Sequence, residues 1–346
     1  MDQFKKHLIA VFVFVSLFWG GYFVLFQSLF GPYYMASYWL RDAQIVKEYI
    51  ARSARGPKIA IMGGSNALFG MDSRSLQKQI GLEVVNLATH AGLPLKYLLG
   101  KFVSSLKSGD IVILSLEYEY YGRSRDFTYS RWFTEQMLAW EKTFYTKLPF
   151  QEKLKFFKSF SWPRMLAHVI LRFQAKRREL LEPNALIEKI KSIWKSNAYG
   201  GPYSRKNLNE LGDVANCSGS FYKEKANYPI QSPSFALSAH TVKWLGIFID
   251  YCQRQGILVL ATWPCSIKDD DFDFSNPIIQ ENETKVIRFY EERGVPVLGV
   301  PLDFNFERKY FRGTAYHLNE KGKKIRTSRL VQLLQENAVF KKAIKK

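Results

Sequence analysis

Two stretches of the chain alternate short apolar runs with longer segments whose apolar residues recur at helical spacing. In the first stretch the runs are KIAIM, EVVNLA and DIVILSLE, at residues 58–62, 83–88 and 110–117. In the second stretch they are ILVLATW and PVLGV, at residues 257–263 and 296–300. Runs of this length between helical segments predict the strands of a parallel sheet that helices cover on both faces. The predicted fold class is therefore α/β.

The helical pattern fills the segments around these runs. Apolar spacing, together with Gly and Pro stop signals, predicts helices over residues 42–53, 73–80, 93–109, 237–256, 277–294 and 319–335. Asp72 and Asn319 stand at the start of two of them, where a side-chain oxygen can accept the first unpaired helical N–H groups. We therefore expect both residues to be N-caps.

The segment from Leu8 to Phe30 is apolar and carries no Asp, Glu, Lys or Arg. As a helix, it would span roughly 34 Å, which is enough to cross the core of a bilayer. Lys5 and Lys6 precede it, so the short N-terminal tail is expected to stay in the cytoplasm and the remaining residues to be exported. A cleaved signal peptide is the alternative, but its apolar region is usually only about 7–15 residues long. The sequence thus predicts a single-pass protein of the cytoplasmic (inner) membrane with a periplasmic or otherwise extracytoplasmic main domain.

The alternating pattern is interrupted between residues 119 and 234. Amphipathic pieces rich in Trp and Lys, such as WFTEQMLAWEKTF and LIEKIKSIWKS, precede a polar stretch rich in Gly and Asn. We interpret this part as a mainly helical insertion that does not join the sheet. The predicted organisation is an anchor at 1–40, the first part of the α/β domain at 41–118, the insertion at 119–234 and the second part of the domain at 235–346.

Charge and cysteine content narrow the range of partners. The 50 Lys and Arg residues outnumber the 31 Asp and Glu residues and give a net charge of +19, which favours anionic partners such as phospholipid head groups or acidic polymers. No nucleic-acid-binding signature is present, so a nucleic-acid partner is not expected.

The three cysteines are compatible with one disulfide or with buried free thiols. No Cys/His spacing is typical of zinc, and we expect neither a metal nor a cofactor.

The run KIAIM leads directly into Gly63, Gly64 and Ser65. Sites in open α/β sheets form beyond the carboxyl ends of the strands, and glycines there permit a tight turn and the close approach of a substrate. Ser65 is therefore a candidate nucleophile, and the alternative is a serine that only caps the next helix. The side chain of Asn66 is expected either to position substrate or to act as a cap.

Two further stretches contain residues that suit acyl transfer. FRGTAYHLNEKG places His317 in a loop beside the start of the last helix, where an imidazole can serve as the base for a serine nucleophile. VVNLATHAGLP is a strand that leads into a small-residue turn, and N–H groups near Gly92, with that of Ser65 or Asn66, can bind a developing oxyanion. An ordinary surface histidine and ordinary turn chemistry are the respective alternatives.

Ser65, Gly92 and His317, in this order, resemble the nucleophile, the oxyanion glycine and the base of the SGNH (GDSL-like) hydrolase superfamily. The string YHLNEKG is similar to that of membrane-anchored members that acylate cell-surface polymers. These include the partners of membrane-bound O-acyltransferases in alginate and peptidoglycan acetylation and the D-alanyl transfer protein of teichoic acids. The resemblance covers about residues 57–118 and 236–335. It implies a flavodoxin-like, three-layer sandwich with a parallel sheet.

The resemblance also implies a function and partners. We expect an extracytoplasmic O-acyltransferase, in the first place for acetyl groups, that modifies a polysaccharide acceptor through an acyl group on Ser65. A multi-pass membrane-bound O-acyltransferase would supply the acyl group, and the basic surface would contact the anionic membrane. One alternative is a carbohydrate esterase or deacetylase with the same Ser65–His317 site. The other is a catalytically inactive assembly or glycan-binding subunit.

The acid that the superfamily usually has three or four residues before its histidine is missing, since Gly313 and Thr314 occupy those positions. Without an acid, the imidazole lacks the partner that fixes its tautomer and stabilises its charged form. Asp303 and Glu307 are the nearest acids in the preceding sequence, and neither is at the expected spacing; Asp303 is a candidate for this role. Glu117 or Glu119, at the end of the third predicted strand, could orient His317 instead.

Overall fold

The structure is a computed structural model, and it describes residues 2–27, 29–30, 37–174, 180–217, 219–269 and 272–345. Within those residues it contains the strands β1 Lys58–Gly63, β2 Glu83–Asn86, β3 Ile111–Ser115, β4 Leu258–Thr262, β5 Ser266–Lys268, β6 Val297–Leu298 and β7 Asn305–Glu307. Strands β1, β2, β3, β4 and β6 form one parallel sheet in the order β2-β1-β3-β4-β6. The predicted α/β fold class is thus confirmed, and each of the apolar runs contains one of these strands.

The register of the sheet brings three strand ends to the same level. Gly63 of β1 pairs with Ser115 of β3, and Ser115 pairs with Thr262 of β4. Strands β1 and β3 are buried along their whole length, because a parallel sheet is covered on both faces. The carboxyl ends of β1, β3 and β4 therefore form one edge, and the candidate nucleophile directly follows the first of them.

The helices that the structure describes are α1 Asp2–Gln27, α2 Tyr38–Ser53, α3 Ser65–Leu68, α4 Ser73–Ile80, α5 Leu95–Lys101, α6 Tyr118–Gly122, α7 Arg131–Trp140, α8 Lys142–Thr146, α9 Phe150–Lys158, α10 Trp162–Gln174, α11 Pro183–Ser196, α12 Ala239–Arg254, α13 Pro277–Glu291, α14 Glu320–Glu336 and α15 Ala338–Ile344. Helix α4 packs against α14, and α5 packs against α12. Asp72 caps α4 by accepting from the Ser75 N–H, and Asn319 caps α14 by accepting from the Gly322 N–H. Both predicted N-caps are confirmed.

Strands β5 and β7 pair in parallel as a second, two-stranded sheet that the sequence analysis does not predict. Each strand has only three residues, which is too short for alternation to be distinguished from loop composition. The predicted helix over 93–109 is also shorter in the structure, because α5 ends at Lys101 and a 3₁₀ turn follows at Val103–Ser105.

The chain divides into two compact units whose boundaries differ from the predicted ones. The helical unit comprises Met1–Ser37 and Asp126–Leu180, and the sheet unit comprises Tyr38–Arg125 and Leu181–Lys346. The predicted insertion is therefore split: most of its helices belong with the N-terminal helix, whereas residues from 181 onward belong with the sheet. One contact of the later residues with the sheet unit is made by the buried Lys47 ammonium, which donates to the carbonyl oxygens of Asn86 and Gly212, at 2.5 Å each.

Helix α1 contains the segment Gln3–Gln27, which is long and apolar enough to cross a membrane. It is the one helix with these properties in the part of the chain that the structure describes. Its length and composition are compatible with single-pass anchoring, and a signal sequence near the N-terminus has the same properties.

The three cysteines, Cys217, Cys252 and Cys265, are buried and unbridged, and burial raises the pKa of each thiol to between about 11 and about 12.

Candidate functional site

Ser65 is the first residue of the one-turn helix α3, directly beyond the carboxyl end of β1. Gly64 is the N-cap residue of this helix and provides no side-chain hydrogen bond. The Ser65 hydroxyl does not cap the helix, because it donates to the carboxylate oxygen Oε1 of Glu117 over 3.4 Å. The structure thus disagrees with the alternative that Ser65 serves as a helix cap.

The glycines around Ser65 are required by close neighbours. A Cβ atom on Gly63 would collide with the carbonyl oxygen of Ser115, and one on Gly64 would collide with the Glu117 carboxylate. A Cβ on Gly70 would collide with the carbonyl oxygen of Asn66. Gly63 and Gly64 are therefore needed because β3 and the residue Glu117 after it approach closely, and Gly70 is needed because the chain passes close to Asn66 and Arg326.

Glu117 follows β3 and lies inside the protein, with 1% of its surface exposed. Its Oε1 accepts from the backbone N–H of Asn66 at 2.8 Å as well as from Ser65, and its Oε2 has no hydrogen-bond partner among the described residues. Burial raises the pKa of this carboxyl group, and the Asn66 N–H partly opposes that shift. Glu117 was predicted to orient His317, but its hydrogen bonds are to the candidate nucleophile and the residue after it.

The other two candidate acids bind elsewhere. Glu119 accepts a hydrogen bond from the Tyr316 hydroxyl at 2.8 Å. Asp303 accepts from the Val300 N–H and from the Arg329 guanidinium, at 2.9 and 3.0 Å. Neither carboxylate makes a hydrogen bond to the ring of His317. Among the residues that the structure describes, no acid occupies the position behind the imidazole.

The Asn66 side chain is completely buried and hydrogen-bonds within the protein. Its Nδ2 donates to the carbonyl oxygen of Ser115 at 2.9 Å, and its Oδ1 accepts from the Ser115 hydroxyl and from Arg326, at 3.0 and 2.9 Å. Its backbone N–H is engaged by Glu117. These hydrogen bonds hold α3 against the protein interior, and the side chain does not cap a helix. The expectation that it positions substrate stays a prediction.

Arg326 of α14 is the functional-site residue that the sequence analysis missed. Its guanidinium is completely buried and donates to the carbonyl oxygen and Oδ1 of Asn66, to the Ser115 hydroxyl and to the carbonyl oxygen of Trp263, over 2.8 to 3.1 Å. One side chain thus links the segments that follow β1, β3 and β4. Its position was a usable signal, because an arginine stands in the buried stripe of α14 beside Lys323, Thr327 and Leu330.

His317 lies in the loop before α14 and is 7% exposed. Its ring stacks on Phe69, with ring centroids 4.2 Å apart and ring planes 19° apart. Phe69 follows α3 and its N–H donates to the carbonyl oxygen of Ser65, so the imidazole lies against the same turn of helix that presents Ser65. No hydrogen bond joins His317 to Ser65. Burial lowers the pKa of His317 to about 3, with the nearby His90 contributing, so the imidazole is neutral at pH 7.

The backbone amides expected to bind an oxyanion are partly occupied. The Gly92 N–H donates to Nδ1 of His90 at 2.8 Å, and the Asn66 N–H donates to Glu117 at 2.8 Å. The Ser65 N–H has no partner among the described residues. Gly92 thus lies in the predicted turn, but its amide would have to leave His90 before it could bind a substrate oxygen.

A cavity of about 270 Å³ lies beside the His317 ring. Its lining is mostly apolar and aromatic, with polar groups at the loop before α14; it includes Phe69, Tyr203, Arg312, Thr314, His317 and Leu318. The cavity is large enough for part of a small organic ligand, and His317 is the titratable group of the candidate site that faces it.

Comparison of the chain with protein-family models, with curated proteins and with solved structures finds no match. The resemblance to the SGNH superfamily therefore stays a prediction, based on Ser65, Gly92 and His317.

Proposed function

We propose that this protein is an SGNH-type O-acyltransferase that works outside the cytoplasm and modifies a polysaccharide through an acyl group on Ser65. The position of Ser65 carries the proposal: its hydroxyl lies at the carboxyl edge of a parallel sheet and donates to a buried carboxylate, and the residue after its helix turn stacks on a neutral imidazole. The strand order β2-β1-β3-β4-β6 supports a flavodoxin-like arrangement.

In the first half-reaction, Ser65 Oγ attacks the acyl carbonyl carbon of an ester or thioester donor, and its proton passes to His317. The bond between that carbon and the donor oxygen or sulfur breaks, and the leaving group takes the proton from His317. Burial keeps the His317 ring in the neutral form that accepts a proton, but a pKa of about 3 also makes it a weak base, so the role requires its pKa to rise when substrate binds. Substrate binding must first bring the ring and Oγ within hydrogen-bond reach.

In the second half-reaction, a sugar hydroxyl gives its proton to His317 and its oxygen attacks the acyl-serine carbon. The bond to Ser65 Oγ breaks, and His317 returns the proton to Oγ. The Ser65 N–H would stabilise the negatively charged oxygen in both steps, and Gly92 would join it after releasing His90.

A basic and aromatic surface near the site supports an anionic acceptor. The Lys96 ammonium lies 4.3 Å from the centre of the Trp244 ring and the Lys243 ammonium lies 5.5 Å from it. Among the described residues, neither lysine forms an ion pair with a carboxylate. Lys96 is four residues beyond Gly92, at the start of α5, so this surface begins beside the candidate oxyanion turn.

The membrane partner is a further part of the proposal. Apolar side chains of α1 are exposed along most of the helix, including Phe12, Phe14, Leu17 and Val24. A multi-pass acyltransferase that brings acyl groups across the membrane would cover such a surface within the bilayer.

A serine-directed fluorophosphonate probe tests the nucleophile on the full-length chain in detergent micelles. We expect the wild-type protein to be labelled, Ser65→Ala to remain unlabelled, and His317→Gln to react at least about 100-fold more slowly. Ser53→Ala is the matched control, because Ser53 is an exposed serine whose hydroxyl bonds to the Tyr49 carbonyl oxygen. It should be labelled like the wild type.

Product analysis separates transfer from hydrolysis. The protein is incubated with an activated acetyl ester and with either a polyuronate or a neutral glucan. Acetylated polyuronate supports the proposed transferase, whereas free acetate alone with every acceptor would identify an esterase.

One observation favours a second candidate, a non-catalytic subunit: Ser65 and His317 share no hydrogen bond and two of the expected oxyanion amides are occupied. An unlabelled wild-type protein in the probe experiment would support this candidate and contradict the acyl-enzyme.

A further inference from the structure

The carboxyl group of Glu117 is the group that hydrogen-bonds to the Ser65 hydroxyl. The two residues lie in segments that follow neighbouring strands. Ser65 comes two residues after β1, and Glu117 comes two residues after β3. The register that pairs Gly63 with Ser115 therefore brings these side chains together. The absence of a side chain on Gly64 provides the space that the carboxyl group occupies.

A purely structural role for Glu117 would need only one of its two carboxyl oxygens. Helix α3 has no side-chain cap of its own, and Oε1 of Glu117 accepts the Asn66 N–H in place of one. A neutral amide oxygen would accept that N–H equally well. The structure contains a second oxygen, Oε2, that is buried and has no hydrogen-bond partner among the described residues. A buried carboxyl group with an unsatisfied oxygen is costly, and such groups concentrate at functional sites.

We propose that Glu117 is a positioning residue that must be ionised for Ser65 to react. The ionised carboxylate accepts the Ser65 hydrogen bond before the reaction and so holds Oγ with its lone pairs toward the acyl carbonyl carbon. As Oγ attacks, the hydroxyl hydrogen turns from Glu117 to His317, which takes the proton. When Glu117 is protonated, its carboxyl proton competes for Oγ and the nucleophile loses that orientation. The inference rests on the proposed function, and it adds an acid that acts on the nucleophile and not on the histidine.

The groups that surround Glu117 set the pH range of this effect. Burial raises its pKa above the usual 4.5, the Glu119 carboxylate raises it further, and the Asn66 N–H and Arg123 lower it. The other charged or titratable groups that interact with it are Arg326, Cys265, Tyr120, Tyr121 and Tyr316. His317, with a pKa of about 3, stays neutral throughout pH 5–8 and contributes no titration there.

The test is the second-order rate of fluorophosphonate labelling of Ser65 as a function of pH, on the full-length chain in detergent. We expect the wild-type rate to rise with pH through one ionisation above pH 4.5 and then level off. Glu117→Gln keeps an acceptor for the Asn66 N–H, and we expect it to label about 10- to 100-fold more slowly at pH 8 with no rise over this range.

Glu119→Gln is the matched control, because it removes a buried carboxyl group only two residues away that bonds to Tyr316. It should keep the rise and the plateau rate of the wild type, with the rise moved to lower pH because the Glu119 carboxylate raises the pKa of Glu117. If Glu117→Gln labels with the wild-type rate and profile, the inference is wrong. A flat wild-type profile overturns it as well, even if Glu117→Gln proves unstable. An unlabelled wild type overturns the acyl-enzyme itself, whereas a labelled wild type with a flat profile overturns only the role of Glu117.

Discussion

The helical unit and the sheet unit have different interiors. In the helical unit, a core cluster consists of rings and aliphatic side chains, namely Tyr22, Phe26, Leu29, Leu138, Phe160 and Met165. At the carboxyl edge of the sheet, by contrast, the completely buried side chains of Asn66, Ser115 and Arg326 hydrogen-bond to one another. Apolar packing is non-directional and tolerates changes of shape that preserve volume, whereas a buried polar network requires each partner at its own distance and angle.

This contrast indicates where a reaction can be supported. The polar network holds Asn66, the residue after Ser65, and the Asn66 N–H in turn holds the Glu117 carboxyl group. The ring cluster of the helical unit supports a helix that is suited to a membrane and holds no group of the candidate site. Substitutions that remove one polar group should therefore affect the two units very differently.

The largest effect is expected from Arg326→Met. It removes the donor to four acceptor atoms that have no access to water, and it should lower the free energy of unfolding of the sheet unit by about 3–5 kcal/mol. Hydrogen exchange of the β1 and β3 amides, followed by mass spectrometry in detergent, measures this loss.

Arg329→Met is its control on the same helix, because the partly exposed Arg329 pairs with Asp303 and its loss should cost less than about 1 kcal/mol. Equal losses for the two variants would contradict the idea that the buried network dominates the sheet unit.

The second-largest effect is expected for Lys47, whose burial makes the free energy of unfolding of the sheet unit depend on pH. Burial lowers the pKa of this amine from 10.5 to about 7, and the Asp213 carboxylate opposes the shift. At pH values between these two pKa values, Lys47 holds a proton in the unfolded chain that it has released in the folded chain. The free energy of unfolding therefore rises with pH. Relative to Lys47→Met, the wild type should gain up to about 1.4 kcal/mol per pH unit over this range.

Urea unfolding of the detergent-solubilised chain at several pH values gives that slope. Lys78→Met, which removes an exposed amine on α4, should follow the wild-type curve. If Lys47→Met also follows it, the amine is not desolvated as the structure indicates.

The smallest effect is expected in the helical unit, for Tyr22→Phe. The Tyr22 hydroxyl donates to the carbonyl oxygens of Phe157 and Phe160, while its ring packs against Phe157 and Trp162. Removing the hydroxyl keeps the ring, so the thermal midpoint should fall by an amount that corresponds to about 1 kcal/mol. A loss as large as that of Arg326→Met would mean that polar contacts stabilise both units equally.

Much of the sheet could be predicted from local pattern. Apolar runs of strand length marked every strand of the main sheet, because burial on both faces leaves few polar positions, mostly at the ends of the run. Helix α4 matches its prediction at both ends, because the Asp72 cap and Gly81 signal those ends within a few residues. The two-stranded sheet escaped prediction, since three residues are too few to show a period.

The sequence by itself determined the α/β class, the apolar N-terminal helix, the helix caps and the presence of a serine beyond the first strand. These features depend on residues within one turn or one strand of each other. Only the tertiary structure decided that Glu117 contacts Ser65, that Arg326 holds Asn66, and that the region after residue 181 belongs with the sheet. The two hydrogen-bonded contacts join side chains that are 52 and 260 positions apart, and hydrogen-bond geometry at such separations depends on how the whole chain packs.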